Sequence, residues 1–387
     1  MIEIDRKQFS RAIALASSVT ERRNTIPVLA TLKASANGVF SMEGSNLDTF
    51  TRVEMPYDGQ PFDFCLPEPQ RVRTAINAAG GATVTLEDKE KCLGLKVGEL
   101  TSDLISLPAD DHPGAERIAF EEFGCSLGLT ELRQIARVMR AISTDETRYY
   151  LNGVCATKLD DWTWRFAATD GRRLMMVDIP LPDATGALPD GTIIPRAWLN
   201  LAIAHFSRAK DGARLTFGKT GIRNSGDGTL ELQRGGPRIA MAADIDGLRF
   251  DLTSKIIDGT YPDYGRVVPT ETTVSARVKR ADLAQAIQAL SGLATEKTRA
   301  VRLRFETGRV VCELNSPDLG EGSFNLPAQH NAPADFSIGF NGQYLLDMCN
   351  ALTGDEIEIG MTVAAAPALI TDPADTAFRA VLMPMRV

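Results

Sequence analysis

Along much of the chain, apolar and polar residues alternate in short runs bounded by Gly, Asn, Asp or Pro. Residues 39–42, 82–86, 162–166, 230–232 and 301–305 show this period of two. Successive side chains of a strand point to opposite faces, so these runs read as half-buried antiparallel strands. Other stretches switch to helical spacing: Phe9, Ala12, Ile13 and Ala16 form one stripe, Leu132, Ile135, Ala136 and Met139 a second, and Leu283, Ala286, Ile287 and Leu290 a third. Each of these helices follows a short strand, at 2–4, 125–127 and 274–276. A second set repeats the arrangement, with strands at 62–64, 192–195 and 336–340 leading into helices at 70–79, 196–208 and 342–352.

The order strand, helix, strands thus recurs at a domain-sized period. It predicts an α+β protein of three similar domains, each built from two strand-helix-strands halves. Polar, Pro- and Gly-containing stretches at 108–117 and 268–272 place the domains at 1–117, 118–269 and 270–387.

Composition changes this picture little. At 387 residues, 44% hydrophobic and 24% charged, the chain has globular averages. No apolar run reaches the ~18 residues of a membrane span, and the start, Met1-Ile2-Glu3-Ile4-Asp5-Arg6-Lys7, lacks the apolar core of a signal peptide. A soluble, cytoplasmic protein is expected.

Charge is more informative. The total is −8, which by itself argues against nucleic acid. The predicted helices (6–16, 70–79, 130–142, 195–208, 279–290 and 342–352) nevertheless hold twelve basic residues against three acidic ones. Five of the six are basic, in an otherwise acidic chain. In the third, Arg133, Arg137 and Arg140 stand at i, i+4 and i+7, a spacing that predicts one solvent face. A basic surface of helices on an acidic body suits sequence-independent contact with a phosphate backbone.

Catalytic signals are weak. The six cysteines (Cys65, Cys92, Cys125, Cys155, Cys312 and Cys349) form no CxxC pair and read as small buried hydrophobes. Three scattered histidines do not suggest a metal site. No GxxxxGK[ST], GxSxG or HExxH motif occurs. No catalytic residue, metal or cofactor is therefore assigned. The rival reading, a β-rich hydrolytic enzyme using turn carboxylates, would rest on Asp160, Asp161 or Asp170.

Six segments together resemble the bacterial DNA polymerase III β subunit, or sliding-clamp, family: Arg22-Arg23-Asn24-Thr25-Ile26-Pro27-Val28-Leu29, Arg148-Tyr149-Tyr150-Leu151-Asn152-Gly153, Ala168-Thr169-Asp170-Gly171-Arg172-Arg173-Leu174, Asp258-Gly259-Thr260-Tyr261-Pro262-Asp263-Tyr264, Gly339-Phe340-Asn341 through Tyr344, and Met383-Pro384-Met385-Arg386-Val387. They run in family order over nearly the whole chain. Arg172 stands where the family usually has His, Thr298 where an aromatic is common, and Gly265 where Arg is common.

The resemblance implies a head-to-tail homodimeric ring of six clamp domains around duplex DNA. Such a ring tethers the polymerase catalytic subunit, the clamp loader and other clamp-binding-motif proteins, and catalyses nothing itself. It further implies a pocket for partner peptides. Its walls are Leu151, Thr169, Gly171, Arg172, Arg173 and Leu174, then Pro262, Arg266, Val267, Asn341 and Tyr344, and last Val381, Leu382, Met383, Pro384, Met385 and Arg386. DNA contacts are implied at Arg23, Arg148, Tyr149 and Tyr150, with Arg196 a further candidate. Leu104, Gly292 and Leu293 are placed at the dimer joint. The apolar 381–387 segment fits a groove wall on its own chemistry, because Pro384 lacks the N–H that a central strand needs.

Overall fold

The computed structural model describes residues 1–21, 25–89, 92–224, 231–293, 299–316 and 319–386. Within them, one module of a strand, a helix and three strands recurs six times. The first holds β1 (Ile2–Asp5), α1 (Arg6–Ala16), β2 (Leu32–Ala36), β3 (Val39–Ser45) and β4 (Thr49–Pro56). The second holds β5 (Phe62–Leu66), α2 (Pro69–Ala79), β6 (Thr83–Lys89), β7 (Cys92–Val97) and β8 (Leu100–Ile105). In the third, β9 (Ile118–Leu127) and α3 (Leu129–Val138) precede β10 (Gly153–Lys158), β11 (Thr163–Thr169) and β12 (Arg173–Pro180). The two-residue β13 (Thr185–Gly186) leads to the fourth: β14 (Thr192–Pro195), α4 (Arg196–Phe206), β15 (Ala213–Asn224), β16 (Glu231–Ile245) and β17 (Leu248–Lys255). The fifth has β18 (Val274–Lys279), α5 (Arg280–Ser291), β19 (Ala300–Glu306), β20 (Arg309–Ser316) and β21 (Gly320–His330). The sixth has β22 (Ser337–Asn341), α6 (Gly342–Ala351), β23 (Glu356–Met361), β24 (Ala368–Asp372) and β25 (Asp375–Leu382).

Local chemistry explains the helix limits. Asp5 caps α1 by accepting the Gln8 N–H at 2.9 Å, and Asn341 caps α6 through the Tyr344 N–H at 3.2 Å. Pro69 opens α2 at a position where a missing N–H costs nothing, and Gly80, at φ 73°, ends it. The expected stripes of α1 and α5 are buried: Phe9, Ala12, Ile13 and Ala16 in one, Leu283, Ala286, Ile287 and Leu290 in the other.

The leading strand of each module pairs with its neighbour module: β1 with β6, β5 with β2, β9 with β15, β14 with β10, β18 with β23, and β22 with β19; β18 alone of these also pairs within its own module, with β21. The modules are thereby interlocked in pairs.

Two compact units emerge. One comprises Met1–Leu132, Asp183–Leu188 and Ala197–Ile256. It carries a four-stranded sheet, β1-β6-β7-β8, and a nine-stranded sheet, β13-β9-β15-β16-β17-β4-β3-β2-β5. The seam β4–β17 joins strands far apart in sequence, with Glu54 opposite Arg249 and Thr49 opposite Ser254. Its core includes Phe9 edge-on to Phe40 at 6.1 Å and Phe206 stacked on Phe250 at 5.3 Å. The indole N–H of Trp198, buried here, donates to the Leu252 carbonyl at 3.2 Å.

The other unit comprises Arg133–Pro182, Pro189–Arg196 and Ile257–Val387. Its single sheet runs β14-β10-β11-β12-β25-β24-β23-β18-β21-β20-β19-β22. Here the seam is β12–β25, with Leu174 opposite Val381 and Val177 opposite Phe378. Asp178 on β12 ties the seam by accepting from Arg165 at 2.7 and 2.8 Å and from Arg379 at 2.8 Å.

Candidate functional site

The second unit brings most of the sequence-predicted pocket residues together. Across β11, β12, β25 and β24, register aligns Thr169, Leu174, Val381 and Leu369 in one row. Period-two alternation turns Leu174 and Val381 to the sheet face opposite Phe378 and Leu382. Leu174 and Val381 join Ala167 and Met176 in a buried apolar cluster, against which Tyr264, Val268 and Leu369 pack.

The turn between β11 and β12 is fixed from within. Thr169 Oγ1 donates to the Arg173 carbonyl at 2.6 Å and accepts the Gly171 N–H at 3.0 Å. Asp170 Oδ1 accepts the Arg172 and Arg173 N–H groups at 2.9 and 3.0 Å. Gly171 sits at φ 86°, a left-handed conformation that glycine adopts without strain. From outside, the Tyr261 hydroxyl accepts the Thr169 N–H at 2.9 Å, and burial raises its pKa above the ordinary tyrosine value.

Beyond Leu382 the chain leaves the ladder, as Pro384 requires. The Met383 N–H donates to the Arg172 carbonyl at 3.0 Å and the Met385 N–H to the Gly339 carbonyl at 2.8 Å. Residues 383–385 therefore cross from the β11–β12 turn to β22. Met385 is 41% exposed and Val267 36% exposed. Arg173 braces the same place: it pairs with Asp170 at 3.0 Å and with Asp347 of α6, and its guanidinium stacks 4.3 Å above the Tyr344 ring. Asn341 is committed to capping α6. Leu151 is buried, while Pro262 and Arg266 are exposed, the latter paired with Asp263 at 2.8 Å. Arg172 and Arg386 are exposed.

The DNA candidates divide. Tyr149 is 55% exposed, its ring edge-on to half-buried Tyr150 at 5.9 Å. Arg148 pairs with Asp145 at 2.9 Å, and its Nη1 stands 3.0 Å from where a Cβ on Gly171 would be. Arg133 and Arg140 are exposed. Arg137, expected on the same solvent face, is buried. Its Nε donates to the Ala351 carbonyl at 2.5 Å, it pairs with Asp375 at 2.6 Å, and it lies 4.1 Å over the Phe378 ring. The expectation fails at Arg137, inside α3, because the Ala351 carbonyl, the Asp375 carboxylate and the Phe378 ring from distant parts of the chain cover that position and satisfy its guanidinium. Arg196 is also a structural residue: its guanidinium donates to the Ile142 and Ser143 carbonyls at 2.7 and 2.8 Å, and burial, with Arg173 nearby, lowers its pKa. Arg23 and Thr298 lie outside the described residues.

Of the dimer-joint candidates, Leu104 is half-buried on β8, which ends the four-stranded sheet with neighbouring Ile105 85% exposed. In the other unit Gly292 and Leu293 follow α5, with Leu293 43% exposed.

The carboxylates of the hydrolase reading serve turns. Asp160 accepts the Trp162 and Thr163 N–H groups, both at 2.8 Å, and these bonds hold its pKa below the usual range. Asp161 is exposed and pairs with Lys158 at 3.3 Å. Cys65, Cys125, Cys155, Cys312 and Cys349 are buried, with Cys125, Cys312 and Cys349 pushed up to about 12 and Cys155 to about 11 by desolvation. Cys92 is half-buried.

Repeated strand-helix-strands modules, interlocked in pairs, define a DNA-clamp architecture. The family model for the DNA polymerase III beta subunit central domain matches residues 129–263, and that for its C-terminal domain matches residues 265–386. A beta sliding clamp from Caulobacter vibrioides is 30% identical over 399 residues, covering all of both chains, and one from Escherichia coli is 27% identical over 99% of both. Two solved structures superpose closely. A Caulobacter crescentus clamp, with polyethylene glycol bound to a putative beta-motif tethering region, has TM-score 0.86 and 29% identity. A Bartonella birtlesii clamp bound to griselimycin has TM-score 0.84 and 29% identity. Each comparison covers 100% of this chain and 99% of the other. The chain belongs to the DNA polymerase III beta subunit family, the bacterial sliding clamps: it is a non-catalytic processivity subunit. The hydrolase reading is thereby overturned.

Proposed function

We propose that this clamp closes around duplex DNA as a head-to-tail homodimer of six domains, with domain limits at 1–117, 118–269 and 270–387. The polymerase catalytic subunit, the clamp loader and other clamp-binding-motif proteins dock by a short peptide in the groove of the second unit. The observation that carries the docking reading is the Thr169–Leu174–Val381–Leu369 row beside the 383–385 crossing. There, sheet-face side chains form an apolar cluster packed by Tyr264, Val268 and Leu369, and Val267 and Met385 are exposed. Met and aliphatic surfaces adapt to apolar anchors. The griselimycin and polyethylene glycol carried by the two related clamps are in keeping with a ligand-binding clamp surface.

Arg133, Arg140 and Arg148, with Tyr149 and Tyr150, supply sequence-independent DNA contact in this reading. Guanidinium groups position phosphates without reading bases, and a tyrosine ring can stack on an unpaired base. Leu104 and Leu293 flank the joint between protomers. The working place is the cytoplasm, and no helix of the described residues is long and apolar enough to cross a membrane. One experiment tests the whole: with loader and ATP the protein should be retained on nicked circular DNA and lost when the circle is linearised. Equal retention on linear DNA would sink the ring.

A further inference from the structure

Arginines crowd the mouth of the groove, but carboxylate partners are unevenly shared among them. Asp170 is saturated by two backbone N–H groups and Arg173, and Asp347 is taken by Arg173 and Gln343. Asp145 holds Arg148. Arg196 is turned to two carbonyls and stands close enough to Arg173 for their charges to repel.

Arg172 differs from all of these. Its backbone is fixed on both sides, with the N–H on Asp170 and the carbonyl on the Met383 N–H. Its exposed guanidinium has no carboxylate partner among the described residues. A positive group on a rigid base therefore borders the 383–385 crossing, two residues before Leu174 of the apolar cluster. The guanidinium fork matches a carboxylate in a bidentate way.

Resting on the groove assignment made above, we infer that Arg172 determines specificity. It selects partner peptides that carry Asp or Glu beside the apolar anchor. The anchor covers the floor while the carboxylate, a residue or two away, reaches the unpaired guanidinium. A phosphodiester could also meet an arginine, but the apolar floor beside it favours a peptide.

The test uses the full-length protein and two fluorescein-labelled decapeptides, each with adjacent Leu and Phe, flanked by Asp-Asp in one and Asn-Asn in the other. Anisotropy titrations at low salt should show the Asp peptide binding roughly three- to fivefold tighter, the range of a partly exposed ion pair. The preference should shrink as salt rises and vanish in Arg172→Gln, whose backbone bonds are untouched. Equal affinities in the wild-type protein would overturn the inference while leaving the groove in place. A preference that survives in Arg172→Gln would assign it to another residue. Failure of both peptides to bind would refute the groove itself. Displacement of the Asp peptide by oligo(dT), with oligo(dT) binding lost in Arg172→Gln, would assign the guanidinium to phosphate and overturn the peptide reading.

Discussion

Two arginine-bearing stretches of the second unit, α3 with its 3-10 extension and the 169–174 turn, look alike in sequence and are resolved alike by the fold. In each, one arginine is drawn inward and others remain outside. Arg137 is taken by Asp375 and Phe378, Arg173 by Asp347 and Tyr344. Arg133, Arg140 and Arg172 stay exposed. The two inner arginines do the same work, each holding a helix or turn against distant strands or helices. The outer ones differ: those of α3 stand on a helix, suited to a long polyanion, whereas Arg172 borders an apolar floor. Charge along a sequence therefore counts cations without separating braces from readers. The separating variable is a carboxylate and an aromatic ring far away in the chain.

The largest effect should come from removing a brace. Arg137→Met leaves Asp375 without its partner in a largely buried site and should cost about 3–5 kcal/mol of stability, seen as an earlier denaturation midpoint. Adding Asp375→Leu should restore part of the loss. An unchanged midpoint in the single variant would return Arg137 to the solvent face and dissolve the comparison.

Next in size, deleting 383–387 removes the crossing from the β11–β12 turn to β22 and should abolish peptide binding while the dimer persists in sedimentation. Loss of the surface for one apolar anchor is worth roughly 1.5–3 kcal/mol. Undiminished peptide affinity would place the groove elsewhere.

The outer arginines of α3 offer a smaller, salt-dependent effect. Arg133→Ala with Arg140→Ala should flatten the slope of log K against log salt by roughly 0.9 per lost phosphate contact, with no change in sequence preference. A slope equal to wild type would leave both as plain solvated charges.

The last effect, absent at neutral pH, concerns a cation that the interior excludes. His112, 2% exposed in the first unit, is held down to about 4 by burial, with Lys33 adding and a Thr31 backbone hydrogen bond opposing. Its folded pKa lies below the unfolded 6.5, so the unfolded chain takes up the proton first. Stability is full above 6.5 and falls as pH drops toward 4, by about 1 kcal/mol over the first step of one pH unit. His112→Asn should flatten that stretch of the pH–stability curve, and an identical curve would remove the histidine from the account.

Much of the fold is legible in sequence because its signals are local. The stripes of α1 and α5 mark the helices within a residue or two, and alternation marks strands such as Ala300–Glu306. The pocket proposal rests on motif resemblance, and the row of Thr169, Leu174, Val381 and Leu369 emerges only from register. What was hidden depends on distance. Nothing near Arg137 announces Asp375, 238 residues on, and nothing in the 195–208 segment reveals that Arg196 faces the Ile142 and Ser143 carbonyls. The exchange of leading strands between modules was equally invisible, because each strand carries the same alternation whichever partner it takes.

That exchange, with the two seams, has a consequence for biosynthesis. Thr49 meets Ser254 across 205 residues and Asp178 meets Arg379 across 201, so neither large sheet can close while its distant strand is still inside the ribosome. Non-local pairing of this kind is slow and leaves edges open meanwhile. β25 is inserted between β12 and β24, and it brings Val381 to the groove floor. A nascent chain interrupted before Asp375 therefore lacks the strand that bridges β12 and β24, and under the docking proposal only a chain translated through β25 recruits partners.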